Sequence, residues 1–426
     1  MAWIFPLKKA LVLKHNEMPK LFQINVTANW GSTGKIVEEC NLKVIPEGWE
    51  VYSAYGRYMN PSKSILIRVG NKYSTYEHYI ENRVLDNEGL ASRFATKALV
   101  KKIKKIQPDI IHLHNIHDHW LNYEILFNYL NQTEIKVVWT FHDFWAITGH
   151  CSHFVSIDCK KWQTECRKCQ LSKSMIDRSK RNFNLKRRLF LANKNLHIVS
   201  VSQWVGENIK RSFLGDKDCR VIENGVDASV FKPTMPSELA ADTNIHEFIR
   251  KVAGKFVIMA VSSQWKSSAK GLDDYIVMSK MLRYDEVIVL VGVNNETIAK
   301  LPHNIIGVKR TNNQQELAAL YTRADVVTSF SSAETFGLTI VEGYDCGTPA
   351  VVYDNTAPPL LITPATGFVV PNKDYKAAYA AIQSVKSNGK LFYTDACVQL
   401  GREKFSKEQC FEKYMLLYKE LLSDRK

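Results

Sequence analysis

The stretch "SSAETFGLTIVEGYDCGTPAVV", Ser331–Val352, sets two glutamates, Glu334 and Glu342, around a Phe-Gly pair, then adds Cys-Gly-Thr-Pro and an apolar run. An apolar run, "DVVTSFS" (325–331), leads in, and "PAVVYD" (349–354) leads out. Between them the spacing predicts a helix over Leu338 to Tyr344. A helix start beside a glycine offers free amide N–H groups and a positive dipole end, which suits an anion. The plain alternative is that Glu334 caps the helix and Glu342 is an ordinary exposed helix residue.

The same alternation recurs along the chain. Short β-branched runs read "LFQINVT" (21–27), "DIIHLHN" (109–115), "KVVWTFHD" (136–143), "HIVSVSQ" (197–203) and "CRVIENG" (219–225). After a polar gap they resume as "KFVIMAVSS" (255–263), "EVIVLVG" (286–292) and "NIIGV" (304–308). Near-continuous apolar strands separated by helices mean parallel sheets covered on both faces. The expected fold class is therefore α/β, with two doubly wound, Rossmann-like domains facing a cleft. The domains are expected over 20–232, with a cysteine-rich insert at 150–170, and over 245–405. A closing helix over 406–426 is expected to return to the N-terminal domain. The quiet stretch near 232–250, with Pro233 and Pro236, marks the junction.

With 426 residues the chain is too long for one ordinary core, and its 45% hydrophobic content suits a packed globular protein. No apolar run reaches the roughly 20 residues of a spanning helix. "MAWIFPLKKALVLKHNEMPK" lacks a charged start and a small-residue cleavage site, so it does not read as a signal peptide, and Met18 could serve as a second start. Nine cysteines, an odd number, favour the reducing cytosol over a disulfide framework. The net charge of +14 attracts anions: phosphate-bearing substrates, membrane headgroups or nucleic acid.

In open parallel sheets, ligands bind beyond the carboxyl ends of the strands. Gly337 lets a diphosphate approach the backbone, and Glu342 could accept from a ribose diol. "NWGSTGKIVEE" (29–39) is neither a Walker loop nor a dinucleotide fingerprint. "HLHNIHDHW" (112–120) admits a metal site, but His112 falls mid-strand, and the strand-end residues His114 and Asn115 are better placed to line the cleft.

Glu334, Glu342 and the Cys-Gly-Thr-Pro turn together resemble the signature of the retaining GT-B glycosyltransferases of family 4, E-x-F-G-L-x-x-x-E-A-x-x-x-G-x-P. The chain departs from it at Gly343 and Asp345. The resemblance spans roughly residues 20 to 420, and includes "VIENGVDASVFKP" (221–233) near the domain junction. It implies that Glu334 sits at the donor sugar, Glu342 at the ribose, and the amides around Phe336, Gly337 and Leu338 at the diphosphate. It also implies that Gly31 and Gly34 form a glycine loop near the donor phosphate and acceptor, and that His142 lies near the donor sugar. Lys270, before Gly271, matches the family's phosphate-binding lysine. Its arginine partner is replaced by Ser263 or Gln264, which leaves Lys266 as a substitute or as a plain surface lysine. Glu334, His142 and Lys270 are thus the expected catalytic residues. No metal is required, because lysines cover the leaving diphosphate.

Cys151, Cys159, Cys166 and Cys169 crowd into the insert, where a structural zinc or four free thiols are the alternatives. From Arg178 to Lys194 there are seven basic residues and no acidic ones. That segment is either a solvated helix with its apolar face on the core or a docking face for an anionic membrane.

The N-terminal half looks most like bacterial capsule and colanic-acid-type transferases. The resemblance thus implies a nucleoside-diphosphate sugar donor and a lipid-linked oligosaccharide acceptor. The expected place is the cytosol, peripheral on the inner face of the membrane. A non-catalytic sugar-nucleotide-binding protein is the rival. A nucleic-acid-binding protein is disfavoured, since no recognition module appears.

Overall fold

The computed structural model describes residues 18–235, 238, 244–262, 265 and 268–423. The N-terminal extension, part of the linker with Pro236, and Ser263, Gln264 and Lys266 lie outside the described residues.

The N-terminal sheet has seven strands: β1 (Lys20–Ile24), β2 (Glu50–Tyr55), β3 (Ile65–Arg68), β4 (Ile110–Leu113), β5 (Lys136–Phe141), β6 (Leu196–Ser200) and β7 (Cys219–Val221). Their order is β3-β2-β1-β4-β5-β6-β7. The C-terminal sheet has six: β8 (Phe256–Val261), β9 (Glu286–Val291), β10 (Ile305–Val308), β11 (Val326–Ser329), β12 (Ala350–Tyr353) and β13 (Gly367–Val370), in the order β10-β9-β8-β11-β12-β13. Every paired strand runs parallel. Both sheets reverse direction beside their first strand, between β1 and β4 and between β8 and β11. Each reversal opens a crevice at the carboxyl edge.

Three strands have no counterpart in the apolar runs. β2 (EVYSAY) mixes polar and aromatic residues, while β3 and β13 are short edge strands with one wet face. Central strands such as β9 are buried along their whole length, which is why they read as unbroken apolar runs.

The last helix, Lys407–Ser423, leaves the C-terminal domain and packs on the N-terminal one. Cys410, Phe411, Tyr414, Met415 and Tyr418 share a core with Leu21, Cys40, Val44, Ile110 and Val138. Tyr418 shares a 2.6 Å hydrogen bond with His112 Nδ1, and Tyr414 a 3.1 Å one with Thr140 Oγ1. His112 is thus a structural residue beneath the returning helix.

The crossing occurs at the Asn-Gly-Val-Asp element. Val226 N donates to Phe405 O (2.8 Å) and Lys407 N to Val226 O (3.0 Å). A Cβ on Gly225 would lie 2.6 Å from Lys407 Cα, so glycine is needed for the two chains to touch. Lys407 Nζ then joins Glu39 and Asp227, each at 2.9 Å.

Truncating Tyr418 should undock this helix in part. Tyr418→Ala is expected to cost about 3–5 kcal/mol, and Tyr418→Phe, which loses only the hydroxyl, about 1 kcal/mol. Urea unfolding followed by tryptophan fluorescence measures both.

Candidate functional site

The donor-side half forms around the loop after β11. Gly337 (φ 112°) enters the helix Leu338–Asp345, and a Cβ there would meet Leu361 Cδ1 at 3.0 Å. A larger residue would be strained and crowded, so the glycine keeps the amide end of the helix open. Phe336 is buried against Phe405, so only its backbone can serve a ligand. Leu338 is half-buried at the first turn.

Lys270 ends a short turn, Ser268–Lys270, and Gly271 (φ 75°) follows. A Cβ on Gly271 would stand 2.4 Å from Phe330 O, so the glycine lets this turn lie on the β11 loop. Ser332 N and Ser331 Oγ both donate to Ala269 O at 2.8 Å. This backbone stitching delivers Lys270 Nζ to Glu334 Oε1 as a close ion pair, each side chain about a quarter exposed (23% and 27%).

Glu342 lies one face further along. Tyr321 OH donates to its Oε2 at 2.8 Å. Burial raises its carboxyl to about 7, against the pull of that hydrogen bond and of Lys35 on the facing N-terminal helix Gly31–Val44.

The opposing half sits at the ends of β1, β4 and β5. His142 follows β5, with its ring stacked on His114 at 5.4 Å and its Nε2 3.1 Å from His114 Nδ1. His114 itself is buried beneath that ring rather than lining the open cleft. Burial lowers His142 to about 4 despite the neighbouring Asp143. Gly31 (φ 66°) begins the helix Gly31–Val44 and has open space around it. Gly34, one turn further on, also lets the helix lie close to the preceding loop: a Cβ there would lie 2.7 Å from Thr27 Oγ1.

The two halves touch. Thr335 Oγ1 donates to His142 O (2.8 Å), and Ser202 Oγ donates to Thr335 O (2.7 Å). The Arg310 guanidinium lies 5.5 Å from the Trp30 ring centre. His153, from the cysteine-rich insert, is close enough to feel both Lys270 and Glu334. The cleft therefore gathers Glu334, Lys270, Phe336, Gly337 and Leu338 opposite His142, with Glu342 opposite the glycine-loop helix. Thr335, Tyr321, Lys35, Arg310 and His153 carry no motif of their own; only the fold brings them here. Lys266 lies outside the described residues.

Cys151, Cys159, Cys166 and Cys169 line one cavity of about 230 Å³ in the insert. Cys151 and Cys169 are hydrogen-bonded to each other, which with His150 holds the Cys169 thiol well below its ordinary value. Gly149 N donates to Cys166 Sγ at 3.3 Å. Among the described residues, no three of these sulfurs lie within 4.8 Å of one another; that spacing occurs only for Glu88, His117 and Asp118. The thiols thus form a close pair with two neighbours, more open than a tetrahedral metal shell.

The basic segment becomes the helix Ser179–Ala192, whose Phe183, Leu189 and Phe190 face the core. Lys186 is buried there, donating to Trp145 O (2.6 Å) and Thr148 O (3.1 Å) over the Trp145 ring. One of the seven cations therefore serves packing, and the apolar face is not free for lipid.

A different cationic surface lies on the N-terminal rim. Arg57, Arg68 and Lys72 line a groove of about 550 Å³ with Tyr58, Tyr76, Tyr79 and His119, and among the described residues no carboxylate lines it. Arg68 ends β3, and the other residues follow β2, β3 and β4, on the same carboxyl edge as His142. No described helix is long and apolar enough to cross a membrane.

Comparison with known proteins agrees with this layout. Residues 47–230 match the model of Glycosyltransferase Family 4, and residues 243–403 match Glycosyl transferases group 1. The chain is 23% identical over 425 residues to the putative colanic acid biosynthesis glycosyl transferase WcaC of Escherichia coli K12, covering 94% of this chain and all of that one. In structure it resembles sucrose-phosphate synthase of Thermosynechococcus elongatus (TM-score 0.71, 17% identity, 95% of this chain and 100% of that one). It also resembles Anabaena Alr3699/HepE in complex with UDP-glucose (TM-score 0.62, 14% identity, 94% and 99%).

The raised Glu342 predicts a pH signature. In the folded state it keeps its proton to about 7, against 4.5 in the unfolded chain. Its stabilising contribution is full below the unfolded value and is lost as pH rises through 7. Glu342→Gln should therefore match wild type near pH 4 and exceed it by about 3 kcal/mol at pH 8, measured by urea unfolding without ligand.

Proposed function

This chain belongs to the family 4 glycosyltransferases of GT-B fold, and from that premise we propose that it retains anomeric configuration and works without a metal. The donor is a nucleoside-diphosphate sugar. The acceptor is a lipid-linked oligosaccharide in the making of a bacterial surface polysaccharide. The observation that carries this reading is the Lys270–Glu334 pair at the open end of the helix Leu338–Asp345, facing His142 across the cleft.

In the empty cleft Lys270 and Glu334 satisfy each other. A bound diphosphate, doubly charged, competes for Lys270 and takes the amides at Gly337 and Leu338. Glu334 is then free to accept from sugar hydroxyls, and Glu342 from the ribose. The acceptor oxygen forms its bond to the anomeric carbon on the face that the diphosphate oxygen leaves. Its proton passes to that departing oxygen, and the products are the nucleoside diphosphate and the glycoside. No enzymatic nucleophile is needed; positioning and charge stabilisation supply the rate.

The acceptor assignment rests on the rim groove. Arg57, Arg68 and Lys72 suit a phosphate, and Tyr58, Tyr76 and Tyr79 suit sugar faces. Tyr73, 86% exposed, follows Lys72 on the helix Lys72–Leu85, and in this reading it is turned to an anionic membrane. This replaces the helix Ser179–Ala192 as the docking face. The cysteine cavity is where a zinc ion would serve a structural end, by drawing the four thiols inward; zinc content after chelator-free purification decides that.

A thermal-shift panel of UDP, GDP, ADP and TDP and their sugars, in EDTA, is the first test. One nucleotide series should stabilise the protein. Glu334→Ala and Lys270→Ala should each lower turnover at least about a hundredfold while the fold survives. Normal turnover in either would sink the assignment, and stabilisation without donor hydrolysis or transfer in wild type would favour a binding protein. Replacing Arg57, Arg68 and Lys72 with alanine should weaken acceptor use and vesicle binding, and leave the nucleotide shift unchanged.

A further inference from the structure

We propose that His114 is a positioning residue that holds His142 as its Nε2–H tautomer, leaving Nδ1 of His142 as a hydrogen-bond acceptor for a donor-sugar hydroxyl. The inference deepens the donor-site reading above and rests on it for the identity of the ligand.

The direction of every proton follows from one end of a buried chain. Asn41 Nδ2 donates to the Glu38 carboxylate (3.1 Å), so Asn41 Oδ1 points the other way. Gln23 Nε2 donates to that Oδ1 (2.6 Å) and to Val37 O (3.0 Å). A backbone carbonyl can only accept, which settles the orientation of the Gln23 amide. Its Oε1 therefore faces His114 Nε2 at 2.9 Å, and that nitrogen must carry a proton.

A neutral imidazole with a proton on one nitrogen has a lone pair on the other. His114 is 1% exposed and lies between His112, with ring centres 4.0 Å apart, and His142, at 5.4 Å. Burial and these neighbours hold it neutral. His114 Nδ1 is then an acceptor, and His142 Nε2, 3.1 Å away, must donate to it.

His142 is left with a bare Nδ1. Among the described residues no hydrogen-bond partner takes that atom. The nearest acid, Asp143, is occupied by His117 Nε2 (2.8 Å) and by Trp145 N (2.8 Å), so it does not charge His142. The His142 carbonyl is also occupied, by Thr335. The free acceptor on this half-buried residue is therefore Nδ1, which a sugar hydroxyl can use and a phosphate oxygen cannot.

Long-range proton–nitrogen NMR on the full chain, labelled with ¹⁵N-histidine and assigned with His142→Phe, tests the tautomer without any ligand. His142 should stay neutral with its proton on Nε2 from about pH 5.5 to 8. A proton on Nδ1, or titration near the ordinary histidine value, would overturn the proposal. Binding of UDP-glucose and of UDP alone tests the consequence. His114→Phe should weaken UDP-glucose about tenfold, the worth of one hydrogen bond, while leaving UDP unchanged. His114→Gln keeps an acceptor and a donor, and should stay near wild type in both the spectrum and the binding. Equal losses for UDP and UDP-glucose in His114→Phe would mean a merely structural role. Failure of wild type to bind any nucleotide of the thermal-shift panel would count against the donor-site reading, while the spectrum would still decide the tautomer.

Discussion

A parallel sheet buried on both faces has almost nowhere to show a polar group except where its strands stop. That constraint organises this molecule. β4, β5, β9 and β12 are sealed by helices along nearly their whole length. Their backbone groups are spent on neighbouring strands. Chemistry is left to the loops beyond their carboxyl ends: His142 after β5, Lys270 after β8, Glu334 after β11, Arg57 after β2. Because both sheets point these ends at one cleft, residues more than a hundred positions apart meet there.

The meeting depends on how the two domains are tied. The chain crosses once between the sheets and then returns, through the contact of Val226 with Phe405 and Lys407, to lay its last helix on the first domain. The return passage ties the domains at that contact, and the cleft lies between the strand ends of the two sheets. Across that cleft, among the described residues, polar contacts join the halves: Thr335 with His142 and Ser202, and Arg310 over Trp30. Such contacts are cheap to break beside a buried apolar core, so the cleft suits entry and exit of a ligand.

Within the cleft, Lys270, Asp143 and Glu342 each have a partner before a ligand arrives. Lys270 has Glu334, and Asp143 has His117. Glu342 has the Tyr321 hydroxyl and a proton held by burial. These pairings spare the buried groups an unpaired charge, and a diphosphate or sugar hydroxyl exchanges with contacts already made. The buried file from Glu38 through Gln23 to His114 does the same for a neutral group: it fixes which nitrogen of His142 is left over.

The apolar runs alone told of ten strands, because a fully covered strand needs an unbroken stretch of β-branched residues. β2 and β3 escape because polar residues interrupt them, and β13 because it is a four-residue edge strand that opens on glycine. The Glu-x-Phe-Gly-Leu stretch and Lys270-Gly271 are legible for a local reason: a glycine at positive φ beside a helix start or turn leaves its mark in a few adjacent letters, whereas His142 is singled out by the family resemblance alone. What no stretch of letters contains is the pairing across the cleft. That Thr335 touches His142, that His153 of the insert faces Lys270, that Lys186 is buried while Arg57, Arg68 and Lys72 share a groove, were decided by tertiary structure. Each depends on where two separately folded surfaces come to rest, and side-chain type does not encode a distance across open space.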